Sequence, residues 1–160
     1  FCAAYDTTEA VREQLQNLID RGRIRKDALQ LISVEKIAGF FRSELGMRMC
    51  LAAKEGRLKK EQPFVIGIPY EEVYKEEDIT DSGETVMVQG IIDAYFEEDG
   101  QLVLMDYKTD SVKEDVKEEL TKRYKAQLMY YGTALSQMTG MPVKEKMIYA
   151  FTNGEAFYVE

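Results

Sequence analysis

Asp93, Asp106 and Lys108 could do chemistry if the chain brings them together. Two carboxylates on one spot attract a hard divalent cation, and Mg²⁺ is typically held by one or two carboxylates plus water and phosphate oxygens. A lysine beside such a cation could lower the pKa of an attacking water or stabilise charge developing on a phosphate. Val86 to Phe96 and Leu102 to Tyr107 read as strands, and Asp99-Gly100 between them is the strongest short-range hairpin signal. A two-residue loop pairs Glu98 with Gln101 and sets Asp93 opposite Asp106, with Cβ atoms about 4.5–5.5 Å apart. A four-residue loop, Glu97 to Gly100, makes them diagonal neighbours on the same face. Facing aspartates repel, so this arrangement predicts a compensating cation. The competing reading is a solvated hairpin with its charges outward; Ile91, Ile92, Val103, Leu104 and Met105 argue instead for a buried strand pair.

A second group follows the hairpin. Gln127 and Tyr131 are one helical turn apart, about 5–6 Å between Cβ atoms, among Leu128, Met129 and Leu135. Taken alone, that tyrosine reads as a core residue with a satisfied hydroxyl. Lys113, Lys117, Lys122, Arg123 and Lys125 form a positive stretch interleaved with Glu114, Glu118 and Glu119. It suits either a phosphate-contacting surface or a salt-bridged, solvated helix face.

These residues carry a resemblance. Asp93 followed by Asp106-x-Lys108 is similar to the PD-(D/E)XK nuclease core, and Gln127-x-x-x-Tyr131 to the QxxxY motif of its RecB-like branch. Gly90-Ile91-Ile92-Asp93, Leu104-Met105-Asp106-Tyr107-Lys108-Thr109-Asp110 and Arg123-Tyr124-Lys125-x-Gln127-Leu128 resemble the C-terminal nuclease domain of the AddA family of bacterial ATP-dependent helicase/nucleases. Phe40-Phe41, Gly46-x-Arg48-Met49, Lys60-Glu61-Gln62-Pro63-Phe64 and Pro142-Val143 extend the likeness over most of the chain.

The resemblance implies an α/β restriction-endonuclease-like fold with a mixed central β-sheet flanked by helices. It implies Mg²⁺, with Mn²⁺ able to substitute, held by Asp93, Asp106 and the backbone carbonyl of Tyr107, with Lys108 and Gln127 catalytic. Tyr131, Arg123, Lys125 and Glu61 become supporting or DNA-contacting positions. The implied activity is exonucleolytic hydrolysis of unwound single-stranded DNA, on the 3′-ended strand, during double-strand-break repair. The implied partners are helicase domains on the same polypeptide and an AddB-like partner subunit. One departure stands out: that branch takes a metal-ligating histidine from an early helix, and this chain has no histidine. The 160 residues therefore read as an N-terminally truncated piece of a longer polypeptide, one domain with a helical part over 1–58 and the sheet and catalytic core over 59–160. The alternative is a degenerate nuclease fold serving as a scaffold for a partner or a guide for DNA.

Composition bounds these readings. A chain of 160 residues makes one ordinary domain, burying roughly 68–70% of its unfolded surface. No run reaches the roughly 20 apolar residues of a membrane span and no secretory signal opens the chain, which predicts a soluble cytoplasmic protein. Cys2 and Cys50 cannot build a disulfide framework or a four-cysteine iron–sulfur cluster; Cys50 reads as a core thiol. A net charge of −8 predicts weak DNA binding by this segment alone.

The elements that would position the site are legible in outline. Asp6 with Glu9 predicts a cap for a helix through Val11, Leu15, Leu18 and Ile19, ending near Gly22. A helix from Ser33 carries Ile37, Phe40 and Phe41, with Gly46 expected to break it before a further turn over Met47 to Lys54. Glu61 to Ile68 reads as a strand and Pro69 to Gly83 as an acidic loop. A long helix is expected over Val116 to Met138, stopped by Gly140 and Pro142. Val143 to Phe151, a turn at Asn153-Gly154 and Ala156 to Val159 complete a second hairpin.

Overall fold

The computed structural model of the protein describes residues 5–73, 83–110 and 115–160. Cys2, the centre of the acidic segment at 74–82, and Lys113 with Glu114 lie outside the described residues.

Helix α1, Thr8–Asp20, is capped by Thr7, whose side chain accepts from the Ala10 N–H at 3.2 Å. The cap is thus one residue later than Asp6, whose backbone carbonyl instead accepts from Arg42 at 2.9 Å. Val11 and Leu15 of α1 pack on Ala38 of α2, Val34–Arg42. A 3-10 helix over Lys26–Leu31 separates them where no element was expected; it buries no residue, so hydrophobic periodicity does not mark it. The break after α2 falls at Ser43, not at Gly46. Ser43 is extended (φ −68°, ψ 155°), and its hydroxyl accepts the Gly46 N–H at 3.1 Å to start α3, Glu44–Lys54. Gly46 lies inside α3 because a Cβ there would overlap the Phe40 carbonyl, so it permits close packing of the two helices rather than ending one.

Among the described residues five strands form one mixed sheet in the order β1-β2-β3-β4-β5: β1 Leu58–Pro69, β2 Thr85–Glu98, β3 Gln101–Lys108, β4 Val143–Ala150 and β5 Glu155–Tyr158. Neighbours are antiparallel except β3 and β4, which are parallel because α5, Val116–Thr139, crosses between them. A short helix α4, Tyr70–Val73, opens the segment expected to be loop throughout. The β2–β3 turn has the two-residue form, with φ 54° at Asp99 and 72° at Gly100, the positive pair of a type I′ turn that matches strand twist. Glu98 therefore pairs with Gln101, and the register runs on to Ala94 opposite Met105.

The sheet is sandwiched. On one face Leu120, Leu128, Ala134 and Leu135 of α5 pack on Phe64, Ile66, Ile92, Leu104 and Ile148. On the other, Phe40 of α2 with Leu45, Met49 and Cys50 of α3 packs on Ala94, Phe96, Val103, Met105 and Tyr149. Cys50 is buried as a core thiol. The inside–outside alternation of β2 slips at Asp93: Ile92 belongs to the α5 side, while Ala94 and Phe96 belong to the α2–α3 side. On β1 the position between the pairs Lys60–Ala94 and Gln62–Ile92 is Glu61, which takes a left-handed φ of 50°. Strict alternation would forbid this change of face. The slip runs across two strands at the same level, and that level carries the acidic residues.

Candidate active site

The ladder between β2 and β3 stops at Ala94 and Met105, so the next facing positions are Asp93 and Asp106. Beyond it the Tyr107 N–H donates to Asp93 Oδ2 at 2.9 Å, a carboxylate standing where a sheet would use a backbone carbonyl. Asp106 continues on β3, paired with Ile148 of β4. It is 2% exposed, and among the described residues it is the one charged side chain that is fully buried.

Burial pushes the Asp106 carboxyl above its ordinary value; Lys108 opposes this, while Asp93 and Asp110 add to it by repulsion. Lys108 Nζ lies 2.6 Å from Asp106 Oδ2, a buried ion pair. The carboxylate is thus charge-paired, and with four lone-pair sites it keeps capacity for a further ligand.

Helix α5 supplies the surroundings of the lysine. Gln127 Oε1 accepts from Lys108 Nζ at 3.4 Å, and Gln127 Nε2 donates to the Tyr131 hydroxyl at 2.7 Å. The Tyr131 ring stands edge-on to Phe64 of β1, centroids 5.3 Å apart. Gly90 of β2 makes room for both rings, since a Cβ there would come within 2.9 Å of Phe64 and 3.3 Å of Tyr131. The glycine of the Gly90-Ile91-Ile92-Asp93 run thus serves a close approach of side chains.

The structure thus brings Asp93, Asp106, Lys108, Gln127 and Tyr131 into one connected cluster. Glu61 stands beside Asp93 on the next strand with its side chain exposed. Arg123 is tied to Asp110 at 2.9 Å and to Glu119 at 2.7 Å, whereas Lys125 is exposed. Two further residues join the cluster, Tyr124 and Asp110, which stand in the runs 123–128 and 104–110 without an assigned role. The Tyr124 ring faces Lys108 Nζ, 3.7 Å from the ring centroid, and the Tyr124 hydroxyl donates to Asp110 Oδ1 at 3.0 Å. The available signal was spacing: Tyr124 is three residues before Gln127, hence on the same helix face.

The donor set suits a hard divalent cation. Asp106 offers a buried carboxylate paired with Lys108, and Asp93 has one oxygen beyond that bonded to Tyr107. Among the described residues no three His, Cys, Asp or Glu side chains gather as a metal cage. Two carboxylates leave several positions to water and phosphate, which is how Mg²⁺ is usually bound.

A mixed sheet with α5 on one face and a helix pair on the other, and an aspartate pair with a lysine where β2 and β3 part, are the marks of a nuclease-type α/β domain. The chain belongs to the PD-(D/E)XK nuclease superfamily, whose profile matches residues 3–160. Members of that superfamily generally use divalent metal ions. The chain is similar to the ATP-dependent helicase/nuclease A-subunit of Thermoanaerobacter sp. (strain X514), 44% identical over 146 residues, which is 91% of this chain and 12% of the relative. The corresponding helicase/nuclease protein of Acetivibrio thermocellus is 41% identical over 147 residues, with the same shares covered. That of Lachnoclostridium phytofermentans is 38% identical over 180 residues, 94% of this chain and 13% of the relative. The chain thus spans only about an eighth of the length of the curated relatives it matches.

Proposed function

We propose that the chain is the metal-dependent nuclease domain of an AddA-type helicase/nuclease and hydrolyses phosphodiesters of DNA. The observation that carries this is the convergence of Asp93, Asp106 and Lys108, with the Asp106 carboxylate buried and charge-paired to the lysine. In this reading Asp93, Asp106 and the Tyr107 backbone carbonyl hold Mg²⁺, which Mn²⁺ can replace. Such an ion supplies Lewis acidity toward the scissile phosphate. Lys108 places its ammonium beside the reacting group and offsets negative charge developing there, without having to reorganise as it does so. Gln127 fixes the ammonium from α5, and Tyr131 fixes Gln127. Tyr131, Lys125, Arg123 and Glu61 flank the path of the DNA strand, with Arg123 contributing by ordering Asp110.

By similarity to the helicase/nuclease relatives, we place the domain behind a helicase motor on the same ATP-binding polypeptide. There it would act as an exonuclease on unwound single strands, the 3′-ended one, in double-strand-break repair and recombination. An AddB-like protein would be its partner and the cytoplasm its location. Among the described residues no helix is long and apolar enough to cross a membrane. The net charge of −8 fits a domain that receives its strand from other parts of the machine rather than capturing DNA itself.

The test is cleavage of end-labelled single-stranded DNA with Mg²⁺ by the full-length protein and its Asp106→Ala variant. Loss of cleavage with the fold intact is expected, and an Asp106→Ala protein that cuts at the parent rate would sink the assignment. The charge and the missing histidine favour one rival, a catalytically incomplete module that guides DNA or holds a partner. That rival predicts no Mn²⁺ affinity sensitive to Asp93→Ala.

A further inference from the structure

Lys108 has one partner without a part in the roles above. The Tyr124 ring faces its ammonium, with Nζ 3.7 Å from the ring centroid, and the ring is itself anchored. Its hydroxyl donates to Asp110 Oδ1 at 3.0 Å, Arg123 grips the same oxygen at 2.9 Å, and Arg123 is tied to Glu119 one turn back. A hydroxyl that donates to a carboxylate gains electron density, which it shares with its ring, and the ring face is what attracts a cation. Asp110 follows Lys108 by two residues and Tyr124 precedes Gln127 by three. The end of β3 and one turn of α5 therefore enclose the ammonium between an aromatic face and an amide oxygen.

The enclosure matters because of what the lysine otherwise leans on. Its shortest contact is Asp106 Oδ2 at 2.6 Å, the same buried oxygen that suits a divalent cation. An ammonium and a divalent ion on one oxygen repel each other, so the lysine must give ground as the ion arrives. Gln127 Oε1, at 3.4 Å, is a long contact to retain it. We propose that Tyr124 is the positioning residue that keeps Lys108 in the site when Asp106 is given over to the cation. This rests on the nuclease reading above and adds to it a role for the aromatic face.

The test uses full-length protein with Mn²⁺ and no DNA. Lys108 is labelled with an amine-acylating reagent, and its modification rate is read by mass spectrometry. Tyr124→Leu should raise that rate about tenfold, and Tyr124→Phe, which keeps the ring but loses the hydroxyl, by less than about threefold. In steady-state cleavage Tyr124→Leu should lower kcat about tenfold with KM and Mn²⁺ affinity unchanged, and Phe should restore most of it. Equal labelling in parent and Leu protein overturns the proposal. So do Leu and Phe variants that lose kcat equally while Mn²⁺ affinity falls, because the tyrosine would then act through the fold. Labelling does not depend on cleavage, so a protein that shows the labelling difference but cuts no DNA refutes the nuclease reading and leaves the lysine seat standing.

Discussion

Gly90→Ala tests how tightly the site is tied to the sheet beneath it. Gly90 pairs with Phe64 across β1 and β2, and the added Cβ would sit 2.9 and 3.1 Å from two atoms of the Phe64 ring and 3.3 Å from Tyr131. The shortest of these is roughly half an ångström inside ordinary van der Waals contact. Phe64 is 4% exposed and stacks edge-on against Tyr131, so its ring cannot relieve the overlap by swinging into solvent. Overpacking of this kind costs about 1–3 kcal/mol, and the smaller backbone entropy of alanine in the unfolded chain returns about 0.4–1 kcal/mol. The net loss of about 1–2 kcal/mol should lower Tm by about 2–8 °C for a domain of this size. Tyr131 carries the strain onward to Gln127 and Lys108, so cleavage should fall by more than the unfolded fraction explains. Phe64→Leu leaves space for the new methyl, and the double variant should be less destabilised than the sum of the singles by at least about 0.5 kcal/mol. Calorimetry of the four proteins decides it: an unchanged Tm for Gly90→Ala, or strict additivity with Phe64→Leu, refutes the reasoning.

Further outcomes follow from the same structure. Asp106 has a folded pKa above its unfolded value near 3.9, so its contribution to metal-free stability is full below that value and is lost as pH rises through the folded one. Urea midpoints across that window should therefore slope downward with pH by a component that Asp106→Asn removes, and an unchanged slope in the variant contradicts this. Divalent affinity should strengthen over the same window as the proton leaves, which titration with Mn²⁺ would read. Glu98 has the opposite sign: hydrogen bonds from Arg48, then Lys144, hold its carboxyl at about 2, so its stabilisation is present above the usual glutamate value and is lost as acid approaches 2. Arg48 also pairs with Glu145 at 2.9 Å, and Arg48→Met should cost about 1–3 kcal/mol in a denaturation measurement by stranding two half-buried carboxylates; a neutral result removes that network as a stabiliser. Asp93→Asn keeps an acceptor for the Tyr107 N–H, whereas Asp93→Ala strands it, so Ala should be about 1–3 kcal/mol less stable than Asn although both lose Mn²⁺ binding. Equal melting of the two would show that this hydrogen bond does not matter to the fold.

The hairpin was legible because its determinants are local. Asp99 and Gly100 accept positive φ, and that one fact sets the register carrying Asp93 level with Asp106. The helix break was not legible at its true place, since Gly46 looks like a breaker while its role is to let the Phe40 carbonyl approach, a contact made only once α2 and α3 pack. Thr7 displaced Asp6 as the cap of α1 for a similar reason: both are good cap residues, and the backbone path chooses between them. Tyr124 was hidden by ambiguity, because an aromatic on the packed face of an amphipathic helix has the same pattern whether it meets leucines or an ammonium. Arg123 has a second engagement that spacing did not show, since the cation counted toward a DNA surface also pairs with Asp110 and Glu119.

The slip of alternation at Glu61 and Asp93 could not be read from either strand alone, and it is what makes the site possible. A regular ladder would use the Tyr107 N–H for a backbone carbonyl and leave no vacancy for a side chain between β2 and β3. Here the ladder ends at Ala94, the Asp93 carboxylate takes the Tyr107 N–H, and β3 runs on beside β4 to carry Asp106 and Lys108 beneath α5. Asp93 thereby has a place in the fold even without a cation, whereas Asp106 is buried beside Lys108 with a raised pKa. The two carboxylates are thus unequal: one is held by the backbone, and the other is buried at a cost that Lys108 offsets only in part. Such an inequality suits a site that assembles around its ion, because the free energy of binding is concentrated on the residue whose burial opposes its charge.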